Sequence, residues 1–432
     1  MPNLSALRLD VAANADEVPA AVAIYSQFSS EPATFVPDSR RAWLRLAVAV
    51  VIGSLGSVGM WSVVVALPVV QSDFGATRGT ASLAFTMVML GFGLGQVVTG
   101  RISDRYGIVA AIGVGIGILG LGYIGAGYAP SVWAFILLHF AIGLSSAATF
   151  GPLMAEASHW FDRYRGLAVA IAASGNYIGG TLWPPAVNFG LQTFGWRTTH
   201  IAIGIFTAIA MAVSLVALRL LMGAATQRSH VNAPPPRVDL KLSTNALTAI
   251  LSVASIACCV AMSMPQVHIV AYCGDLGYGV ARGAEMLSLM LGFGIISRIG
   301  SGFLADKIGG IRTLLIGSVA QGSALLFYLF FDSLTSLYII SAMFGLFQGG
   351  IVPSYAIIVR EAMPAAEAAT RIGIVIFASV FGMSLGGWIS GVIFDATGSY
   401  AAAFANGLAW NLLNVTIMVL LLLRARQRLA LA

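Results

Sequence analysis

Long apolar runs alternate with short polar interruptions along most of the chain. Each run is about as long as the ~20 residues that a helix needs to cross a bilayer. The pattern therefore predicts twelve transmembrane helices joined by short loops. The twelve segments are 46–70, 81–100, 108–128, 131–157, 165–190, 199–222, 246–272, 283–304, 312–331, 335–359, 371–394 and 400–423.

The composition agrees with a membrane environment for these segments. Charged residues make up 9% of the chain and hydrophobic residues 58%, whereas soluble domains carry about 25% charged residues. Because the apolar segments use nearly the whole length, no sizeable soluble domain is expected.

The longest polar interruption divides the chain into two halves of six segments each. It runs from Gly223 to Lys241 and contains three consecutive prolines at 234–236. Prolines disfavour a helix and charges disfavour the membrane, so a linker is expected there. The predicted division is 1–41 as a cytoplasmic tail, 42–222 as the first bundle, 223–245 as the linker, 246–424 as the second bundle and 425–432 as a tail.

A short motif recurs after the second segment of each half. Glycine, acid, base and glycine stand at the same offsets in both copies, 202 residues apart. This doubled motif resembles the signature loop of the major facilitator superfamily, and the resemblance covers residues 42–424. It implies an all-α integral membrane fold of two pseudo-symmetric six-helix bundles, with these residues acting in gating. They are Gly100, Asp104, Arg105 and Gly107, then Gly302, Asp306, Lys307 and Gly309.

A second resemblance points to a group within that superfamily. The stretch from His159 to Ala168 (HWFDRYRGLA) is similar to a sequence of monocarboxylate transporters and oxalate/formate-type antiporters. Gly195-Trp196-Arg197 agrees with the same group, whereas Tyr164 departs from it by replacing a basic residue. The resemblance implies transport of a small organic carboxylate.

Arg298 is the most informative single residue, because it lies inside the eighth segment. A charged residue at the bilayer centre costs at least ~2.5–3.5 kcal/mol and almost always faces a cavity or a partner. Its planar guanidinium matches a carboxylate. The monocarboxylate transporters similarly carry an arginine on this helix, so Arg298 is expected to bind the substrate carboxylate; the alternative is a structural ion pair.

His268 and Asp275 are expected to join Arg298 in substrate binding and proton coupling. The end of the seventh segment resembles that of prokaryotic monocarboxylate transporters, in which a histidine and an acid seven residues later have these roles. Some relatives carry an aspartate where this chain has Gly294. Asp275 is therefore the expected partner of Arg298; the alternative places Asp275 in an outer loop.

Five further residues are candidates for lining a central cavity, although aromatic side chains in membrane helices are more often packing residues. They are Phe150, Asn176, Tyr177, Gln348 and Tyr355. The eleventh segment carries no basic residue beyond Arg371 at its start. With only Arg298 in the core, a monoanion is the better fit, because a second buried negative charge would lack a partner.

The net charge of +6 arises from basic residues concentrated on one side of the membrane, and it does not predict a nucleic-acid partner. Most lysines and arginines fall on the side of the membrane that carries the termini. By the positive-inside rule both termini are expected in the cytoplasm, and the resemblance to prokaryotic members implies a bacterial inner membrane.

The sequence thus predicts a secondary active transporter of small organic anions, most simply a proton-coupled monocarboxylate symporter. A carboxylate antiporter and a transporter-like carboxylate receptor are the alternatives. No catalytic or metal-binding motif is recognised, so an enzyme is not expected. The proton is the expected coupling ion, without another cofactor. The expected partners are the carboxylate and the lipid bilayer, with the chain functioning as a monomer.

Overall fold

The computed structural model describes residues 37–161, 163–222 and 240–429, and these form twelve long helices in chain order. The predicted segments agree with them to within a residue or lie inside them, so the twelve predicted helices are confirmed. The helices are α1 (Arg40–Phe74), α2 (Arg78–Tyr106), α3 (Ile108–Gly127), α4 (Val132–Trp160), α5 (Arg165–Phe194), α6 (Trp196–Met222), α7 (Thr244–Asp275), α8 (Val280–Ile308), α9 (Gly310–Phe330), α10 (Leu334–Ala362), α11 (Ala365–Thr397) and α12 (Tyr400–Leu429).

Eleven of these helices are long and apolar enough by composition to cross a membrane. The other is α5, which is 30 residues long but contains Pro184 and Pro185 within its span, together with Asn176. Polar and helix-bending residues are tolerated in a membrane helix when neighbouring protein covers them. Since α5 packs against α1, α4 and α8, it completes a set of twelve spanning helices.

Three helices are interrupted near their middle. α1 is broken at Ser57, α4 passes through a 3₁₀ turn at 147–149, and α10 is interrupted at Gly349-Gly350. The interruptions of α4 and α10 stand at equivalent places of the two halves, 202 residues apart. Interrupted helices expose backbone polar groups at membrane depth only where protein or a cavity receives them.

The repeated motif has the same backbone conformation in both halves. Gly107 has φ +84° and ψ 161°, and Gly309 has φ +82° and ψ 162°. Both values lie in a region that residues with a side chain rarely adopt, which is why each motif ends in glycine. The internal repeat found in the sequence is therefore a repeat of structure.

The two halves meet through α2 with α11 and through α5 with α8. With twelve spans, both described ends of the chain lie on one side, called here the terminal face; the other side is the opposite face. Among the described residues, the cross-half hydrogen bond nearest the terminal face is that of Arg298 with Ala173. The others lie between that level and the opposite face, including Thr86 Oγ1 to the Ser384 carbonyl at 3.0 Å. The halves are thus joined by hydrogen bonds towards the opposite face.

Candidate functional site

Arg298 lies on α8, ten residues before the helix ends at Ile308. At 1.5 Å per residue, this places its Cα about 15 Å from the terminal end of the helix. The guanidinium reaches the backbone of two neighbouring helices. Nη1 donates to the Ala173 carbonyl of α5 at 3.1 Å, and Nε contacts the Gly349 carbonyl at the α10 interruption at 3.4 Å.

Tyr177 of α5 supplies the third neighbour of this guanidinium. The Arg298 Cζ lies 4.4 Å from the Tyr177 ring centroid, a cation–π geometry. Gly294, one turn earlier on α8, makes room for this ring, because a Cβ at Gly294 would overlap it. The position where some relatives carry an acid therefore accommodates an aromatic ring.

The charge of Arg298 has no anionic partner among the described residues. Its neighbours are two carbonyls and one aromatic ring, all of them neutral. The side chain is partly exposed. A cation held inside a membrane protein by neutral groups is a ready site for an anion, and a guanidinium binds a carboxylate through two parallel hydrogen bonds.

The expected ion pair between Arg298 and Asp275 does not form in this structure. Asp275 is the last residue of α7, at the opposite face, and it pairs with Arg78 of α2 at 2.6 Å. The prediction of this pair failed because Arg78 belongs to the other half of the chain. The proposed role of Asp275 in coupling remains a prediction.

Arg78 is the centre of a cluster that joins the two halves at the opposite face. Its guanidinium donates to Asp275 and, at 2.8 Å, to the Tyr400 hydroxyl of α12. Its backbone N–H and that of Gly79 donate to the two carboxylate oxygens of Asp395 at 2.9 and 2.6 Å. Asp395 of α11 therefore caps the N-terminus of α2 from the other half, where the helix dipole favours an anion.

His268 is buried next to this cluster and does not contact Arg298. Nε2 lies 2.8 Å from the Gly387 carbonyl, and Nδ1 lies 3.2 Å from the Tyr400 hydroxyl. A carbonyl can only accept, so Nε2 carries the hydrogen; in the neutral ring Nδ1 then accepts from Tyr400. His268 is thus linked through Tyr400 to Arg78 and Asp275.

Two of the predicted cavity residues line a small cavity beside the α1 and α4 interruptions. Phe150 and Asn176 are among its lining residues, with Ser57 and Phe92. The Asn176 side chain accepts a hydrogen bond from Trp61 Nε1 at 2.9 Å. The cavity lies wholly in the first half and has room for about one water molecule.

Two other predicted cavity residues are packing residues in this structure. Tyr355 is fully buried, and its hydroxyl donates to Asn414 of α12 at 2.8 Å, so it holds two helices of the second half together. Gln348 is also fully buried and accepts from Gln266 of α7 at 3.0 Å. The prediction from sequence could not tell which face of α10 each residue occupies.

Gln96 of α2 was not predicted, although the repeat identifies it. It stands 202 residues before Arg298 and is therefore the equivalent residue of the first half. Its side-chain oxygen lies against Gly151 of α4, and its Nε2 is buried without a partner. An alignment of the two halves would have shown this substitution of an amide for a cation.

The charged residues of the two signature loops lie at the terminal face and are exposed. Among the described residues, Asp104, Arg105, Asp306 and Lys307 form no ion pair, and the Arg105 guanidinium lies 5.2 Å from the ring centroid of its neighbour Tyr106. A Cβ at Gly100 or at Gly302 would meet no atom within 4 Å. Their role in gating stays a prediction.

The parts of the chain that the structure describes hold no group of three or more His, Cys, Asp or Glu side chains arranged to bind a metal ion.

Comparison with known proteins agrees with this fold. Residues 49–336 and 300–431 match the family model described as Major Facilitator Superfamily. Monocarboxylate transporter 13 of Rattus norvegicus is 25% identical over 410 residues, which cover 89% of this chain and 90% of that protein. Monocarboxylate transporter 11 of Mus musculus is 24% identical over 384 residues, covering 85% and 84%.

A solved structure of the nucleoside transporter NupG superposes on 88% of this chain and 99% of its own, with a TM-score of 0.70 and 12% identity. At this identity the likeness concerns the fold alone. The family match covers nearly all of the spanning region. The chain therefore belongs to the major facilitator superfamily, where it is similar to the monocarboxylate transporters.

Proposed function

We propose that this secondary transporter carries a small organic monocarboxylate together with a proton. The observation that supports this is the guanidinium of Arg298, which lies at membrane depth with only neutral neighbours. A carboxylate bound there would neutralise a charge whose placement in the membrane is costly. A bound substrate would thus supply the negative charge that the site lacks.

A monoanion fits this site better than a dianion. Along the part of α11 whose side chains the structure describes, no basic residue follows Arg371, and the equivalent of Arg298 in the first half is the neutral Gln96. A second carboxylate would therefore lack a cationic partner, and burying an unpaired charge is unfavourable. Arg298 is proposed to bind the carboxylate, while Asp275 and His268 are proposed to couple its transport to a proton.

Alternating access is the proposed mechanism, as in other carriers built from repeated bundles. The cross-half hydrogen bonds near the opposite face would break when the terminal face closes over bound substrate. We propose that the terminal face is cytoplasmic, since most of the 23 lysines and arginines lie on that side of the spans. We also propose that the protein lies in a bacterial inner membrane and functions as a monomer.

The test is uptake of labelled monocarboxylates and dicarboxylates into proteoliposomes, with and without an inward proton gradient. Gradient-stimulated uptake of a monocarboxylate, with dicarboxylates excluded, would support the proposal. Uptake that ignores the gradient and requires internal substrate would identify an antiporter. Saturable binding without flux would identify a receptor, and no interaction with any carboxylate would overturn the role of Arg298.

A further inference from the structure

The small cavity of the first half is lined by buried hydroxyl groups where α1 and α4 are interrupted. Its polar lining residues are Ser57 of α1, Ser146 and Thr149 of α4, and Asn176 of α5. Glycines of α1 bring the α4 hydroxyls close to the break. A Cβ at Gly56 would overlap Thr149 Oγ1, and a Cβ at Gly59 would overlap Ser146 Oγ.

Each of these hydroxyls already uses its hydrogen within its own helix. Ser57 Oγ donates to the Ser54 carbonyl at 2.9 Å. Ser146 Oγ donates to the Ile142 carbonyl at 2.9 Å, and Thr149 Oγ1 donates to the Ser146 carbonyl at 2.8 Å. Because a carbonyl can only accept, the hydrogen of each pair lies on the hydroxyl. The three oxygens therefore have only lone pairs left to offer the cavity.

Asn176 is the fourth polar residue of the lining. Its Oδ1 accepts from Trp61 Nε1 at 2.9 Å, and its Nδ2 donates to Met60 Sδ at 3.3 Å. An indole N–H only donates, which identifies the oxygen of the amide, and this oxygen keeps a second lone pair. The cavity thus has four oxygen acceptors on three helices.

The helix interruptions do not themselves require these oxygens. The residues equivalent to Ser57 and Thr149 in the second half are Cys259 and Ile351, 202 positions later. α10 is interrupted at the place equivalent to the break in α4, yet Ile351 offers no hydroxyl there. The hydroxyls of the first half therefore serve a purpose other than breaking a helix.

We propose that this cavity binds a sodium ion through these four oxygens. Acceptors without hydrogens to donate suit a cation, and hard cations take oxygen ligands. Calcium and magnesium sites use carboxylates, and no residue of the lining is acidic, so a monovalent ion fits better. The cavity has room for about one water molecule, which suits a small ion without its hydration shell. Interrupted helices are also where carriers hold sodium.

The sodium ion would lie beside the proposed anion site. Asn176 lines the cavity, and the ring of the next residue, Tyr177, lies 4.4 Å from the Arg298 Cζ. A cation in the first half attracts a carboxylate bound at Arg298, so each ion should raise the affinity for the other. This attraction rests on the proposed function, whereas the sodium site does not.

Binding of radioactive sodium to the purified protein in nanodiscs tests the site directly. The assay contains choline chloride and no carboxylate, so its result does not depend on the substrate. Saturable binding of about one ion per chain is expected, since the cavity has room for about one. Unlabelled sodium should displace it and choline should not.

Variants of α4 identify the ligands. S146A/T149V should lower sodium affinity at least about tenfold, whereas T149S keeps the hydroxyl and should retain binding. S145A is the matched control, because Ser145 Oγ is buried, donates to the same Ile142 carbonyl at 2.8 Å and lies outside the lining of the cavity. Its sodium affinity should stay within about twofold of the parent. Thermal unfolding in choline chloride checks that each variant is folded.

Absence of saturable sodium binding in the parent would show that the cavity holds water only and would overturn the site. Equal losses in S145A and S146A/T149V would overturn it as well. If the double variant does not fold, T149V compared with T149S decides the same question. Sodium binding without uptake of any carboxylate would retain the site and reject the proposed function, and proton-driven uptake without sodium binding would do the reverse.

Uptake into proteoliposomes tests the attraction between the two ions. Replacing choline by sodium should raise the initial rate at least about threefold when the carboxylate is below saturation. An unchanged rate in a protein that binds sodium would retain the site and reject its link to the anion.

Discussion

The two halves carry equivalent helices with unequal chemistry. Asp73 ends the spanning part of α1 and Asp275 ends α7, 202 residues apart. Asp73 pairs with Arg197 of its own half at 3.2 Å, whereas Asp275 pairs with Arg78 of the other half. The two equivalent carboxylates thus have different roles. Asp73 stabilises the first bundle internally, whereas Asp275 joins the two bundles.

Near the centre of the molecule, too, equivalent positions of the two halves carry different residues. The neutral Gln96 of the first half corresponds to Arg298 of the second, and Phe92 corresponds to Gly294. Phe92 packs against Phe150, whereas Gly294 admits the Tyr177 ring that lies against Arg298. A repeated backbone preserves helix packing, whereas a positive charge present in only one half favours the binding of an anion there. Positions where the halves differ in charge are therefore the best candidates for function.

The largest effect is expected from removing the positive charge of Arg298 in the second half. R298A should lower monocarboxylate uptake at least about 25-fold, because truncating one partner of a buried charge pair costs about 2–5 kcal/mol and 1.4 kcal/mol is about tenfold. R298K keeps the charge without the planar fork and should retain part of the activity. The measurement is the initial rate of labelled uptake into proteoliposomes.

R282A is the matched control, since it removes an arginine of the same helix from an exposed pair with Glu285. Exposed ion pairs contribute about 0–1 kcal/mol, so its uptake should change by less than about fivefold. Normal uptake by folded R298A protein would show that Arg298 does not bind the substrate.

The next effect concerns the two arginines that pair with the equivalent carboxylates. R78Q should lower turnover about tenfold and leave substrate affinity within about twofold, because Arg78 links the halves and does not contact Arg298. R197Q breaks a pair whose side chains are 44% and 45% exposed, so turnover should fall less than about threefold. Equal losses in R78Q and R197Q would show that the cross-half pair has no special role.

The sequence predicted the fold well because scarcity of charge and the doubled motif are both visible along the chain. It also placed Arg298 inside the membrane. It did not predict the partner of Asp275, because the spacing from His268 to Asp275 defines positions on one helix and carries no information on which residue of α2 lies opposite. The packing role of Tyr355 was likewise not predicted, since an aromatic residue of a membrane helix can face either a cavity or a neighbouring helix.

Gly294 provides a smaller test of the second half. G294A places a Cβ against the Tyr177 ring and should weaken substrate affinity about tenfold, because Tyr177 would no longer hold the guanidinium in position, a contact worth up to about 2 kcal/mol. Isothermal titration of the purified protein measures this. G292A is the control: its Cβ would lie 3.6 Å from Thr181, an ordinary contact. Similar substrate affinities of G294A and G292A would show that contact with the Tyr177 ring does not orient Arg298.

The smallest effect is expected at Gln96, the first-half equivalent of Arg298. Its Nε2 is buried without a partner, and a buried unsatisfied amide costs about 1–3 kcal/mol. Q96L has nearly the same volume and should raise the melting temperature by about 1–3 °C, with uptake within about twofold because the anion is held by the other half. Thermal unfolding and uptake of the same preparation test both statements. A loss of uptake in Q96L as large as that in R298A would place both equivalent residues in the substrate site, and the assignment of anion binding to the second half alone would be wrong.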